Sequence, residues 1–346
     1  MRILIIGGAG YVGSVLTHEL LERGYTVRVF DRLFFGKRGI ADIEDRIDLM
    51  VGDVRDIPDS AYEDVEAVVN LGGLSNDPTA EYNPKANTEM NTVATRKSAE
   101  AAIRMGIDRY VFASSCSVYY SAAGLEKEDN LLNEESKIDP KAAYSRSKFE
   151  GERELLALAE KHPTFCPVML RKGTVFGFSH RMRYDLVVNT FIKDALRSGR
   201  INLHLGGEMW RPLVEVRDAA RAYIAALQAD SSAVRAQIFN VAYRNFRISE
   251  LALRTREALR AQGVTVDLYP DFQYKGVRSY RVDTDKIRRV LGFEPAVTVE
   301  ESVVNILTQI RANGMTDYDN PLYYNISWMK LLEESERIIA VNGKVF

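Results

Sequence analysis

The sequence predicts an α/β protein: a doubly wound parallel sheet with a smaller C-terminal α/β lobe. Three observations predict it. Short β-branched runs alternate with amphipathic segments through the first half of the chain, the pattern of βαβ units in a parallel sheet. Three glycines spaced G-x-x-G-x-x-G join the first run to the first helical segment. The chain has 346 residues, a length that suits two lobes.

The elements follow in order. "RILIIGG" is a short apolar run ending in glycines, and "YVGSVLTHELLERG" repeats apolar residues at helical spacing up to Gly24 as a C-terminal stop. "TVRVFDR", "IDLMVGDVRD" and "AVVNLGG" read as strands two to four. "NTVATRKSAEAAIRMG" is a helix ending at Gly106, "DRYVFASS" a fifth strand, and "AYSRSKFEGERELLALAEKH" a long helix. "FCPVMLRKGTVFG" is a sixth strand with its exit loop. "WRPLVEVRDAARAYIAALQ" gives an extended entry and a helix, and "QIFNVA" a strand returning to the first sheet. "RISELALRTREALRAQG", "KIRRVLGFEP" and "VTVEESVVNILTQIRANG" build a small helical lobe. The expected division is 1–170, with 214–242 returning to it, against a substrate-binding lobe of 171–213 and 243–346. The aromatic-rich tail after Gly314 packs on the body or on a partner chain.

Apolar residues make up 46% and charged residues 27%, with a net charge of −2, so the surface suits neither nucleic acid nor membrane. No apolar run approaches the ~18–20 residues that span a bilayer. "MRILIIGGAG" lacks the cleavage region of a signal peptide. Cys116 and Cys166 form no C-x-x-C, which points to a reducing, cytoplasmic setting. His18, His162, His180 and His204 are scattered, and no pair has the spacing of a metal site.

Gly7, Gly10 and Gly13 follow a strand and open a helix. Glycine there permits a tight turn and close approach of backbone to a pyrophosphate, and the helix N-terminus favours the anion. The fold is then of the Rossmann type. Asp31 ends the second strand, where a carboxylate meets the ribose hydroxyls and repels a 2′-phosphate, favouring NAD. Arg32 beside it would welcome that phosphate. Asp53, with Val54, lies where an adenine amino group can be met, and equally where a carboxylate caps a turn. Leu71, Gly72 and Gly73 let a cofactor lie close to the fourth strand.

Tyr144 and Lys148 are four apart on one helix face. An ammonium close by lowers a phenol's pKa, so Tyr144 can take a proton from a sugar hydroxyl while hydride leaves the same carbon. Ser114 and Ser115 end the preceding strand. Ser115 can bond the same oxygen as it becomes a carbonyl.

With "GGAGYVGS", Asp31, "GDVRD", "SSCSVYY", "YSRSK", "VFG", "WRPLVEVRDAARA" and "FNVA", the chain resembles the extended short-chain dehydrogenases/reductases, in the NAD-dependent nucleotide-sugar epimerase/dehydratase group, over roughly residues 1–310. The resemblance implies Ser115, Tyr144 and Lys148 as the catalytic set. NAD is the implied cofactor, held by Gly7, Gly10, Tyr11, Val12, Gly13, Asp31, Arg32, Asp53, Val54, Leu71, Gly72, Gly73, Asn91, Ser114, Tyr144 and Lys148. Asn91 matches a helix asparagine that orders the active-site strands. Arg211 matches an arginine that grips a diphosphate, a task suited to a planar guanidinium. A nucleotide sugar is the implied substrate. A homodimer built from the helices at 91–106 and 143–162 is the implied assembly.

The departures narrow the chemistry. Sugar-nucleotide 4,6-dehydratases carry Asp-Glu directly after the catalytic serine or threonine, where this chain has Cys116 and Ser117. In the 3,5-epimerase/reductase relatives a cysteine base stands where Ser117 falls. Cys116 is one place early, and its side chain is expected to turn away as a small buried group. Ser115, Cys116 and Ser117 remain substrate-facing candidates by position. So do Thr174, in place of the usual asparagine of "NVYGP", and Arg181, Arg183 and Asn189 in "FSHRMRYDLVVN". The two arginines are read as phosphate or base contacts or as solvated loop charges. Arg278 falls near a second diphosphate arginine, with Arg281 competing. The reading is an epimerase passing through a keto sugar, against a dehydrogenase or 4-ketoreductase, a disfavoured dehydratase, and a non-catalytic binding module.

Overall fold

The computed structural model describes residues 1–119, 131–272 and 279–343. The first lobe begins with β1 (Arg2–Ile6), α1 (Tyr11–Glu22), β2 (Thr26–Asp31), β3 (Asp48–Val51) and β4 (Ala67–Asn70). It continues through α2 (Asp77–Tyr82), α3 (Pro84–Thr88), α4 (Ala94–Arg104), β5 (Arg109–Ser115), β6 (Leu131–Leu132), α5 (Ala143–Lys161) and β7 (Cys166–Lys172). Then come β8 (Thr174–Phe176), α6 (Val187–Ser198), β9 (Arg200–His204), β10 (Trp210–Glu215), α7 (Val216–Gln228), α8 (Ser231–Val234), β11 (Gln237–Val241) and β12 (Arg244–Arg247). The chain ends with α9 (Ile248–Ala261), β13 (Asp267–Asp271), β14 (Arg281–Val282), α10 (Asp285–Leu291), α11 (Val299–Ala312) and α12 (Asn325–Asn342).

Seven strands form one parallel sheet in the order β11-β7-β5-β4-β1-β2-β3. Both faces of the sheet's centre are buried, so β1, β4 and β5 are apolar on both sides, while the edge strand β3 is partly exposed. Ile3, Ile5, Val27, Val29, Val69, Val111, Val168 and Leu170 pack under α1 and α7. Leu4, Ile6, Phe30, Val68, Phe112 and Met169 pack on the other face. Each such side chain, fully buried, contributes about 1.5–3 kcal/mol.

The expected return of "QIFNVA" is borne out: β11 adds to the edge beside β7. The segment "WRPLVEV" is itself a strand, β10, between β8 and β12 in a second sheet. The boundary at residue 243 shifts for one helix. Ile287 of α10 and Phe293 just after it are buried in the first lobe's core. The Asp218 carboxylate on α7 accepts from the backbone N–H groups of Ala296 and Val297. The second core gathers α6, α9 and α11 around Phe191, Leu251, Val303 and Ile306.

The helix expected to begin at Asn91 starts earlier. Asn76 and Asn83 cap α2 and α3 at their N-termini, each near a proline in the first turn. A π-helical turn at Glu89–Val93 then leads into α4. The tail packs on the body. Trp328 donates to the Phe34 carbonyl, Arg38 to the Tyr323 hydroxyl, and Asn325 to Ser75. No helix among the described residues is long and apolar enough to cross a membrane.

One buried ion pair fastens α5 to the sheet. Arg171 on β7 donates twice to Glu152 on α5, at 2.8 and 2.7 Å. The side chains are 3% and 1% exposed. Ser114 at the end of β5 donates to the same carboxylate at 2.5 Å, and Arg171 also donates to the Tyr119 hydroxyl. Breaking such a pair strands a charge in the core. Glu152→Gln is expected to lower the urea unfolding free energy by roughly 3–5 kcal/mol. Glu152→Gln combined with Arg171→Met should recover part of that loss.

Candidate active site and cofactor cleft

The glycine loop is built by contacts that exclude side chains. Gly7 has φ +81, and a Cβ on it would lie 3.0 Å from the Gly72 nitrogen of the neighbouring strand end. A Cβ on Gly13 would lie 2.1 Å from the Gly7 carbonyl oxygen. At Gly10 the only close neighbour of such an atom among the described residues is that oxygen, at 3.2 Å, which leaves room above the helix start. No side chain caps α1, and its first turn holds no acid. Its N-terminal amides, at Tyr11 and Val12, therefore suit an incoming anion. These features fit a dinucleotide pyrophosphate.

Asp31 holds the rim of that cleft. Its carboxylate accepts from Ala9 N at 3.0 Å and Leu33 N at 2.7 Å, tying the glycine loop to the turn after β2. Burial raises its pKa. Lone pairs beyond those two bonds remain for hydroxyl donors. Arg32 reaches Asp53 at 3.3 Å and lies over the Phe34 ring. Asp53 is also gripped by Arg55, at 2.9 and 2.6 Å. The Arg55 bond draws its pKa down to about 2. Of the two sequence readings, the turn role is the one seen: Asp53 accepts from Arg55 N as well. Val54 touches Gly72, whose small size lets β1 and β4 end close together.

Asn91 occupies the π turn and is fully buried. It accepts from Leu74 N and donates to the Leu74 carbonyl, Asn87 and Ser147. It thereby joins the loop after β4 to α5. Gly73, with φ +113, is forced by this packing, since a Cβ there would lie 2.0 Å from the Asn91 oxygen. The side-chain polar atoms of Asn91 are engaged by protein, and through them it positions the site.

Helix α5 delivers the pair read from the sequence. Ala143 N at its start donates to Glu81. Tyr144 is half-buried and Lys148 is buried. The Lys148 ammonium sits 5.0 Å from the Phe112 ring centroid and 5.9 Å from that of Tyr144. Burial brings its pKa down to about 8. Ser115 is half-buried at the end of β5, against which α5 packs, and its hydroxyl oxygen accepts from Ser117 N at 3.1 Å. Ser114, by contrast, is turned inward onto Glu152.

Cys116 is fully buried and its thiol donates to the Arg171 carbonyl at 3.0 Å. Burial pushes its pKa well up. It is sealed away from the cleft, which corrects its place among substrate-facing residues. Ser117 is buried too, and its hydroxyl has no hydrogen-bond partner among the described residues.

The loop after β8 divides its polar residues. Asn189 is fully buried, accepts from Gly177 N, and donates to Tyr11, Gly177 and Arg183. These bonds make it a scaffold group for the loop after β8. Tyr11 likewise donates its hydroxyl to the Gly177 carbonyl at 2.6 Å. Arg183 is paired with Asp185 at 2.8 and 2.9 Å and buried. Arg181 stacks 3.6 Å above the Phe35 ring and donates to Asn325. Its pKa is brought down to about 9, by burial first and then by Arg183. Neither arginine is a solvated loop charge. Thr174 on β8 and Arg211 on β10 lie in the second sheet, both half-buried. Arg211 donates to the Trp210 carbonyl and lies over the Tyr280 ring. Arg278 lies outside the described residues.

Sequence reasoning missed Glu152, Arg171 and Lys172. Glu152 had a signal, since it follows Tyr144 and Lys148 at four-residue steps on the same helix face. Arg171 interrupts an apolar strand, where a buried charge calls for a partner. Lys172 donates to the Ser114 carbonyl and the Tyr223 hydroxyl. Burial, then Lys148 nearby, takes its pKa down to about 7.

Comparison with known proteins agrees with this geometry. The family model described as "NAD dependent epimerase/dehydratase family" matches residues 3–242. UDP-glucuronic acid decarboxylase 1 of Danio rerio is 27% identical over 305 residues, covering 87% of this chain and 71% of that protein. A putative UDP-glucose 4-epimerase of Methanocaldococcus jannaschii is 26% identical over 322 residues, covering 91% and 100%. The structure of UDP-glucose 4-epimerase from Thermotoga maritima with UDP-glucose shares the fold, with a TM-score of 0.80, 24% identity, and 90% and 99% of the chains covered. The glycine loop, the Asp31 rim and the α5 tyrosine–lysine pair thus stand in an enzyme that belongs to the NAD-dependent epimerase/dehydratase family, of extended short-chain dehydrogenase/reductase type.

Proposed function

We propose that the protein is a nucleotide-sugar epimerase that works through a transient keto sugar, formed at C4. The observation that carries this reading is the strand end itself. Ser115 is half-buried at the end of β5, against which α5 packs, while the next residue, Cys116, is sealed and holds no acid. Elimination of water needs a proton donor for the leaving hydroxyl, and no carboxylate follows Ser115. Oxidation and re-reduction of one carbon need only the three residues and the cofactor.

Bound NAD supplies the hydride acceptor and donor, with Gly7, Gly10, Tyr11, Val12, Gly13 and Asp31 as its holders. Tyr144, as phenolate, takes the proton of the sugar hydroxyl and later returns it to the carbonyl oxygen. Lys148 favours that phenolate through its charge. The Ser115 hydroxyl donates to the same oxygen as charge develops on it. Arg211 is the candidate clamp for the diphosphate, which leaves the sugar ring free to turn over. The Ser117 hydroxyl, buried without a partner among the described residues, is a candidate donor to a sugar group. A homodimer pairing α4 and α5 belongs to the same reading. The outer faces of these helices carry Arg96, Lys97, Arg146 and Arg153.

Incubating the purified protein with UDP- and dTDP-hexoses, without added cofactor, should give an isomer of unchanged mass by chromatography and mass spectrometry. Loss of water or of carbon dioxide, or net oxidation only when NAD is added, would overturn the epimerase reading. Tyr144→Phe should retain NAD and lower kcat by roughly 10²–10⁴-fold.

Lys148 and Lys172 also make a pH prediction. Both bind protons less readily when folded, with pKa values of about 8 and about 7 against 10.5. Between pH 7 and 9 the unfolded chain holds more protons, so this contribution to stability rises with pH and is lost as pH falls through 7. Urea midpoints at pH 7 and pH 9 should show that rise, and Lys172→Met should flatten it.

A further inference from the structure

His18, Asp42 and His180 stand far apart in sequence and meet on the outer side of the glycine loop. His18 is on α1, Asp42 is the second residue of the 3-10 turn Ala41–Arg46, and His180 follows β8. His18 Nε2 is 3.0 Å from Asp42 Oδ2, and His180 Nε2 is 3.8 Å from the same oxygen. The imidazole rings stack with centroids 4.4 Å apart and planes inclined by 22°. One donor atom from each residue lies within 4.8 Å of the others.

A bond outside the trio fixes what these atoms can do. His18 Nδ1 is 2.7 Å from the Ser14 carbonyl oxygen, an acceptor only, so Nδ1 carries a proton. In the neutral ring Nε2 then presents a lone pair to a carboxylate oxygen that also presents lone pairs. That meeting is relieved either by a proton on Nε2, which makes a His18–Asp42 ion pair, or by a metal ion held between the two atoms. Protonating both rings would stack two imidazoliums against a single carboxylate. A single divalent ion satisfies all three donors. A histidine that donates its far nitrogen to a backbone carbonyl is the outer-shell arrangement that orients metal ligands.

We propose that His18, Asp42 and His180 form a binding site for one transition-metal ion of the zinc type, separate from the active site. Two imidazoles and one carboxylate select zinc, cobalt or nickel over magnesium and calcium. Bonds of about 2.0–2.1 Å to a tetrahedral ion put the donors about 3.3 Å apart, so binding turns the two imidazoles out of their present stack until both Nε2 lone pairs aim at the ion. The side chains of Asp42 and His180 are 53% and 39% exposed, so water can complete the coordination. The ion ties α1 to the loop after β8, where Ser14 and Ser179 already meet at 2.7 Å. It also fastens the 41–46 turn, which follows the close approach of Gly39 to the Ala9 carbonyl. Its role is to brace the two lobes beside the cofactor rim.

The test uses tag-free full-length protein, stripped with a chelator and titrated with Co²⁺ and then Zn²⁺. One Co²⁺ per chain is expected, with visible bands of four-coordinate geometry that Zn²⁺ abolishes, and a melting temperature that climbs with free Zn²⁺. His18→Gln and His180→Phe, the latter keeping a stacked ring, should each weaken Co²⁺ binding by more than the roughly 10–100-fold typical of lost outer-shell partners. His204→Gln, which alters a histidine paired elsewhere with Asp271, should leave binding unchanged. Equal binding by wild type and both variants, less than one ion per chain, or histidine NMR signals of residues 18 and 180 unmoved by Zn²⁺ would overturn the proposal and leave a protonated His18–Asp42 pair.

Discussion

The Arg171–Glu152 pair is the interaction on which the site's geometry depends. It joins β7 to α5 through two bonds, and Ser114 joins β5 to the same carboxylate. Arg171 also donates to Tyr119, which donates to Asn240 on β11. Four elements therefore share one buried network. Ser115 is the neighbour of Ser114, and Lys148 lies one helical turn from Glu152. The distance between the serine and tyrosine–lysine groups is set by ionic bonds in a dry interior, where small displacements are costly. Such pairs add little net stability over an apolar core, and here the pair supplies position.

The same division of labour runs around the cleft. Asn91, Asn189, Tyr11 and Arg183 are polar groups in the place where a cofactor or substrate is expected, yet their hydrogen bonds reach mostly protein. They hold loops whose backbone and neighbouring side chains face the cleft. The glycines serve the same end by absence of a side chain, Gly13 against Gly7 and Gly73 against Asn91.

Much of this was legible in the sequence because it is periodic or local. Alternating β-branched runs gave the parallel sheet, and a four-residue step put Tyr144 and Lys148 on one face. The glycine spacing marked the loop. What was not legible depends on residues that only tertiary structure brings together. Nothing near Asn189 in the chain says that its amide is consumed by Tyr11 and Arg183. The short helices α2 and α3 carry asparagine caps and prolines, but each spans less than two turns, too little for periodicity to register. The strand-end cysteine was read as turned away, and its thiol is indeed bonded inward to the Arg171 carbonyl.

The path of the chain between lobes bears on how the protein is made. Strand β7 borders β11, and α10 and Phe293 complete the core beneath that edge. A growing chain that has released β7 from the ribosome carries an open sheet edge, with unpaired backbone groups, until residues 237–241 emerge. The first core closes only when Phe293 arrives, by which time most of the second lobe has been synthesised. Neither lobe is thus a module that finishes before the other begins, and a ribosome stalled inside the second lobe leaves the first one incomplete as well.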